Sequence, residues 1–204
     1  MRRPKKTKHA KLIPRPESDE IARAMEKCLP LAIPWSGPVF RSVSPEYANT
    51  TDLVSGIGSK TNGARYTPRR GFPSVYGSLD PDTAMTEALA FHRRAGIPVE
   101  QAMPCVFVSI RVEVQRILPL TDGHVRSVLR ISHRRLIEEP WQHEQDHGRE
   151  ALTQAVGRIA RELGLEGLQV PSAQGTGQNL VVFPDRLLPG SRLKIINPGK
   201  LRSR

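Results

Sequence analysis

Seven polar residues stand in apolar stretches or at the boundaries of expected elements, where their chemistry is not needed for solubility: Arg41, Arg65, Tyr66, Tyr76, Glu87, Ser172 and Asn179. The densest group lies in NGARYTPRRGFPSVYGSLDPDTAMTEALAFH, from Asn62 to His92. Guanidinium groups clamp phosphate oxygens through paired N–H donors. The rings of Tyr66 and Tyr76 offer faces to a flat ring, and the lone acid Glu87 can stabilise positive charge developing on a sugar. Together these are the parts needed to hold a nucleotide and act on its ribose. Singly, each has an ordinary role: Arg41 could snorkel, Tyr76 could be core, Glu87 could cap or pair with Arg93 or Arg94, and Ser172 could end a strand.

The elements that must position these residues follow from patterning. Asp80 followed by Pro81 opens a helix through about Arg94 that Gly96 closes, with Ala84, Met85, Ala88, Leu89 and Phe91 as its buried stripe and Glu87 at the edge of that stripe. WSGPVFRSV, from Trp35 to Val43, predicts a strand that carries Arg41, and the next forty residues are irregular, the mark of a functional or mobile stretch, and are where the site is expected. Strict alternation over 104–114 predicts a half-buried strand, and residues 122–139 predict one or two short helices. The i, i+3, i+4 spacing from Glu150 to Leu163 predicts a helix, as does SDEIARAMEKCL with Ser18 or Asp19 as its cap. Leu168–Val170, Asn179–Phe183 and Arg192–Ile196 supply three further strands. Helices and strands are mixed without regular βαβ alternation, so the expected class is α+β.

The 204 residues are enough for one domain with a substantial core. Cys28 and Cys105 lie apart among apolar neighbours, which suggests neither a disulfide framework nor a cysteine zinc site. Neither a secretory signal nor a run of membrane-spanning length is visible, so a soluble cytoplasmic protein is expected. The net charge of +11 raises nucleic-acid binding, yet seven of those charges fall in residues 1–16, an expected structureless tail without aromatic residues. Phosphate-loop, dinucleotide-fingerprint, zincin and nucleophile-elbow motifs are absent. His143 and His147 have zinc-ligand spacing, but in WQHEQDHGRE they suit a polar surface better, so no metal is expected.

The order of Arg65-Tyr-Thr-Pro, Gly71, Pro73-Ser-Val-Tyr76, Asp80-Pro-Asp-Thr-Ala-Met-Thr-Glu87-Ala-Leu, Thr153-Gln154-Ala, Gly167-Leu-Gln-Val-Pro-Ser172-Ala and Asn179-Leu-Val-Val-Phe183 resembles the RES-domain family. These are toxin components of bacterial RES–Xre toxin–antitoxin pairs. Arg65, Glu87 and Ser172 match the arginine, glutamate and serine that name the family. Tyr66 stands where it often has tryptophan, and Tyr76 matches its strand tyrosine. NGARYTPRRG departs from the family's GGRWNPPG-like loop through Ala64 and the added Arg69-Arg70. The implied organisation is a basic tail (1–16), an N-terminal helical extension (17–34), a RES-like domain (35–197) and a basic C-terminal tail (198–204).

The resemblance implies an ADP-ribosyltransferase-like α+β fold that binds NAD and cleaves its nicotinamide–ribose bond by hydrolysis, phosphorolysis or transfer to a protein acceptor. Growth then stops until an Xre-type antitoxin sequesters the site. Catalysis is assigned to Glu87, Arg65 and Ser172, and substrate binding to Arg41, Tyr66, Tyr76 and Asn179. NAD is substrate rather than cofactor, with phosphate as a candidate co-substrate. Nucleic acid is reached through the antitoxin alone, and a homo-oligomer is left open. Two other readings compete: a nucleic-acid-binding protein using the basic tail, and a RES-fold binding module without turnover.

Overall fold

The computed structural model describes residues 12–43, 45–94, 96, 98 and 106–196. Expectations for residues 1–11, Cys105 and 198–204 fall outside them, as do those for the side chains of Phe91, Arg93 and Arg94. Six strands, β1 (Ile33–Val43), β2 (Val75–Ser78), β3 (Val106–Pro119), β4 (Gly167–Pro171), β5 (Gln178–Val182) and β6 (Arg192–Ile195), form one mixed sheet. Strand β1 pairs with both β2 and β3, which closes β1-β2-β5-β4-β3 into a ring, with β6 on the outer edge of β3. Only the β3–β4 pairing is parallel among these ladders. The α+β expectation holds.

Alternation along the strands divides the apolar residues between two cores. Val39, Val75, Ile110, Val112, Leu180 and Val182 meet inside the ring, joined by Leu53. On the opposite face, Leu168, Val170 and Val181 pack against α1 (Ser18–Cys28), α5 (Gly123–Leu129) and α8 (Leu152–Glu162). Ile21, Met25 and Cys28 of α1 are all buried there, so the N-terminal helix is part of the core.

Several boundaries differ from the sequence reading for local reasons. Helix α1 has Glu17 at its N-cap without a side-chain cap, because the Ser18 hydroxyl donates instead to Arg15 O at 2.7 Å. The supposedly irregular segment holds two six-residue helices, α2 (Thr50–Ser55) and α3 (Ile57–Asn62). Asn49 caps α2 by accepting from Asp52 N–H at 2.8 Å, and Gly56, at φ 70°, makes the turn between them. Residues 133–138 and 141–146 form α6 and α7, the second of which was not expected. Part of the expected tail is tied down: Ile13 N–H donates to Gly148 O and Glu150 N–H donates to Ile13 O, at 2.8 and 2.9 Å.

Helix α4 (Pro81–Arg94) starts where expected, with Thr83 N–H donating to Asp80 Oδ1 at 2.8 Å. It lies against β1 and β2. Met85, assigned to its buried stripe, is 38% exposed, since the helix packs through Thr83, Ala84 and Ala90 instead.

Gly157 of α8 lets the loop after α3 sink onto this helix. A Cβ there would stand 1.9 Å from Tyr66 O, too close for any side chain. Gly157→Ala is expected to cost about 1–3 kcal/mol through overpacking, read as a lowered midpoint in thermal unfolding. An unchanged midpoint would show that the loop is not held there.

Candidate active site

The site is assembled by the middle of α4, the turn after β4 and the start of β5. Glu87, one and a half turns into α4, is half-buried and reaches the strands beside it. Ser172 Oγ–H donates to Glu87 Oε1 at 2.7 Å, and Asn179 Nδ2–H donates to the same oxygen at 3.1 Å. Both donors converge on Oε1, and Oε2 has no protein partner among the described residues. One carboxylate oxygen is thereby anchored and the other presented.

Each donor is itself held. Ser172 is 2% exposed and follows β4; its N–H donates to Gly177 O at 2.8 Å, closing the 172–177 loop, while its Oγ accepts from Gln174 N–H at 3.1 Å. Asn179 in β5 lies opposite Ser78 of β2, whose hydroxyl donates to Asn179 Oδ1 at 2.7 Å. That bond orients the amide so that its NH₂ faces Glu87. Gly177 permits the loop to touch the first turn of α4: a Cβ there would lie 1.8 Å from Thr83 Oγ1. Carboxylate and donors are thus locked to one another from both sides.

Ser74, Tyr76 and Ser78 share one face around β2, while Val75 and Gly77 turn toward the ring interior, where Val39 lies against Gly77. Tyr76 is therefore about 7 Å along the strand from Ser78, on the side where Glu87 is bound. Its oxygen accepts from Tyr66 N–H at 2.9 Å and is 3.0 Å from Thr67 Oγ1. Burial pushes the Tyr76 phenol up to about 12, partly offset by the N–H that the Tyr66 backbone donates to its oxygen, so it stays protonated at neutral pH.

The loop that carries Arg65 is clipped into a tight turn by Ala64 N–H to Thr67 O and Thr67 N–H to Ala64 O, at 2.8 and 3.1 Å. Two buried glutamines grip its backbone. Gln154 Nε2 donates to Ala64 O and to Gln145 Oε1, at 3.2 and 3.0 Å. Gln145 in turn accepts from Arg69 N–H at 3.0 Å and donates to Asn62 O at 3.2 Å. Arg65 Nη1 donates to Leu136 O and Glu139 O, both at 3.1 Å, filling acceptors left open at the C-terminus of α6. Its charge still acts on Tyr76 and Tyr66.

The seven sequence candidates do not all meet. Glu87, Ser172 and Asn179 touch, and Tyr76 lies on the same sheet face. The stacking role expected of Tyr66 is corrected: its ring is 1% exposed within the helix-side core, and burial holds the phenol well above its ordinary range. Arg41 is not brought to Glu87. It projects from β1 on the Val39 and Val43 side, where Nη1 donates to Leu53 O at 3.3 Å and burial lowers its affinity for a proton. Ser78 and Gln145 were not named from sequence, and Gln154 only within the Thr153-Gln154-Ala motif, without a role. Polar alternation in Ser74-Val-Tyr-Gly-Ser78 could have found the first, whereas a buried glutamine clamp leaves no local signal.

A separate cleft of about 560 Å³ lies under Ile13, between Phe72 and Arg158. It holds none of the seven candidates, and four of its charged residues pair with one another, Arg69 with Asp146 and Arg158 with the buried Glu150. His143 and His147 pack ring to ring at 4.1 Å on the surface. No group of three or more metal-ligating side chains occurs among the described residues, and no helix there is long and apolar enough to cross a membrane.

A mixed, ring-closed sheet that offers an anchored carboxylate beside a tyrosine and a clamped arginine loop defines an α+β domain with a polar ligand site. The chain belongs to the RES domain family, whose model matches residues 38–199. It is 24% identical over 160 residues, 78% of this chain and 79% of the relative, to the NAD(+) phosphorylase MbcT of Mycobacterium tuberculosis; the protein of the same name from Mycobacterium bovis matches equally. The crystal structure of the M. tuberculosis MbcT–MbcA toxin–antitoxin complex shares the fold, with a TM-score of 0.66 at 22% identity over 87% of this chain and 89% of that one.

Proposed function

We propose that the chain is a toxin that degrades NAD by breaking its nicotinamide–ribose bond, with phosphate as the acceptor, on an ADP-ribosyltransferase-like fold. The observation that carries this reading is the carboxylate: Ser172 and Asn179 both donate to Glu87 Oε1, and Oε2 has no protein partner among the described residues. As the bond breaks, its electron pair passes to the nicotinamide nitrogen, which leaves as a neutral ring, and positive charge develops on the ribose. A fixed anion beside that charge lowers the barrier because it needs no reorganisation. A phosphate oxygen then bonds to C1′ from the opposite side, giving ADP-ribose 1″-phosphate and nicotinamide.

In this reading Tyr76 supplies the ring face for nicotinamide, and Arg65, rather than Arg41, supplies positive charge toward the pyrophosphate. The names of the relatives support NAD, phosphate and an antitoxin partner. An Xre-type antitoxin would carry any contact with nucleic acid.

Incubation with NAD, with and without phosphate, followed by product masses, tests the reading. Nicotinamide with ADP-ribose 1″-phosphate is expected when phosphate is present. Free ADP-ribose at the same rate in both conditions would replace phosphorolysis by hydrolysis. Intact NAD together with steeply salt-dependent nucleic-acid binding would overturn the enzyme reading in favour of the basic tail.

A further inference from the structure

The Tyr76 hydroxyl ends a row of four hydroxyl groups that runs into the protein through Thr67, Ser74 and Ser59. Thr67 and Ser74 are 0% and 2% exposed. Each group has one proton, so the direction of every bond can be assigned from the far end. Ser59 Oγ lies 2.8 Å from Gly56 O and 2.6 Å from Ser74 O, and carbonyl oxygens accept only, so its proton goes to them. Ser59 Oγ therefore accepts from Ser74 N–H at 2.9 Å and from Ser74 Oγ–H at 3.0 Å. With its proton so placed, Ser74 Oγ must accept from Thr67 Oγ1–H, its next partner. Thr67 Oγ1 in turn must accept from Tyr76 O–H at 3.0 Å, while the Tyr76 oxygen accepts from Tyr66 N–H at 2.9 Å.

We propose that Ser59, Ser74 and Thr67 form a one-way hydroxyl chain that turns the Tyr76 proton inward, so that Tyr76 meets the ligand through its ring, pins the arginine loop through its oxygen, and donates no proton to the reaction. Gly56 makes the chain geometrically accessible: a Cβ there would stand 2.5 Å from Ser74 N, so only glycine lets the α2–α3 turn bring Ser59 this close. The chemistry agrees, because nicotinamide leaves as a neutral molecule and requires no acid. The reaction half of the proposal rests on the NAD-cleaving reading; the chain itself does not.

Three variants and two readouts test it. Tyr76→Phe and Thr67→Val are expected to raise KM for NAD about tenfold and lower kcat less than about fivefold, whereas loss of a general acid would cost roughly 10²–10⁴ in kcat. Thr67→Ser, which keeps the hydroxyl, restores the wild-type values. Independently of NAD, hydrogen exchange at the Tyr66 amide should quicken about tenfold or more in Tyr76→Phe and Thr67→Val but not in Thr67→Ser. A fall in kcat above a hundredfold at unchanged KM in Tyr76→Phe would overturn the proposal, and so would unchanged exchange at Tyr66. Should Thr67→Val fail to fold, Tyr76→Phe and Thr67→Ser still decide. If the wild-type protein leaves NAD intact, the functional reading fails and the exchange data judge the chain alone.

Discussion

Glu87→Gln is expected to lower NAD consumption roughly a thousandfold, the scale of losing a preorganised electrostatic contact at a developing charge, with the unfolding midpoint nearly unchanged. The substitution keeps volume and leaves an amide oxygen where Oε1 accepts from Ser172 and Asn179. What it removes is the negative charge. Glu87→Asp separates charge from placement: it keeps the anion but withdraws it by a methylene, and a displacement of that order costs about a hundredfold. Rate measurements on the two folded variants, with nicotinamide release as the readout, should rank them wild type, then Asp, then Gln. A glutamine variant that retains a tenth of the activity would remove Glu87 from the chemistry.

That ranking depends on how rigidly the carboxylate is held, and rigidity comes from residues of three separate stretches. Helix α4 supplies the acid, the turn after β4 supplies Ser172, and β5 supplies Asn179, whose amide is oriented by Ser78 on β2. Because β2, β5 and β4 are consecutive in the sheet, the donors sit on one hydrogen-bonded surface and cannot drift apart independently.

Much of this was legible in the sequence, for identifiable reasons. The capping pair Asp80-Pro81 and the apolar spacing after it located α4, and the motif order placed Glu87 with Ser172 and Asn179. Long periodic segments such as β3 and α8 also declared themselves. Helices α2, α3 and α7 did not, since six residues give too few turns for a period to show. The fate of Tyr66 and Arg65 was hidden for another reason. An aromatic and an arginine at a loop tip suggest ligand contacts, but Gly157 draws this loop onto α8 and the partners of Arg65 are 71 and 74 residues away. Arg41 is set apart from Glu87 by strand parity: its neighbour Phe40 pairs with Ser78, so Arg41 itself lies on the other face.

The largest effect on stability is expected at a residue that no motif marks. Glu166 is 0% exposed, immediately before β4, and no cation pairs with it among the described residues. It answers a defect in the sheet. Between Trp35 opposite Val114 and Ile33 opposite Ile117 the register slips, so Gln115 and Arg116 together face Pro34 and the ladder is broken there. The two bulged amides turn instead to Glu166 Oε2, at 2.7 and 2.8 Å, and Leu188 N–H donates to Oε1 at 3.0 Å. Glu166→Ala leaves three amides without an acceptor, at about 1–3 kcal/mol each. A total of roughly 3–9 kcal/mol is a large share of the 5–15 kcal/mol that holds a domain folded. Glu166→Gln should fall between, because its amide keeps one acceptor oxygen and points an N–H group at backbone donors. Denaturant unfolding of the purified variants measures this directly, and an alanine variant within about 1 kcal/mol of wild type would contradict it. Since β4 pairs in parallel with β3 from Gly167 onward and leads directly into Ser172, loosening Glu166 should also degrade the anchoring of Glu87. NAD turnover by whatever fraction of Glu166→Gln remains folded should therefore fall below that of wild type, a loss at a residue that touches no ligand.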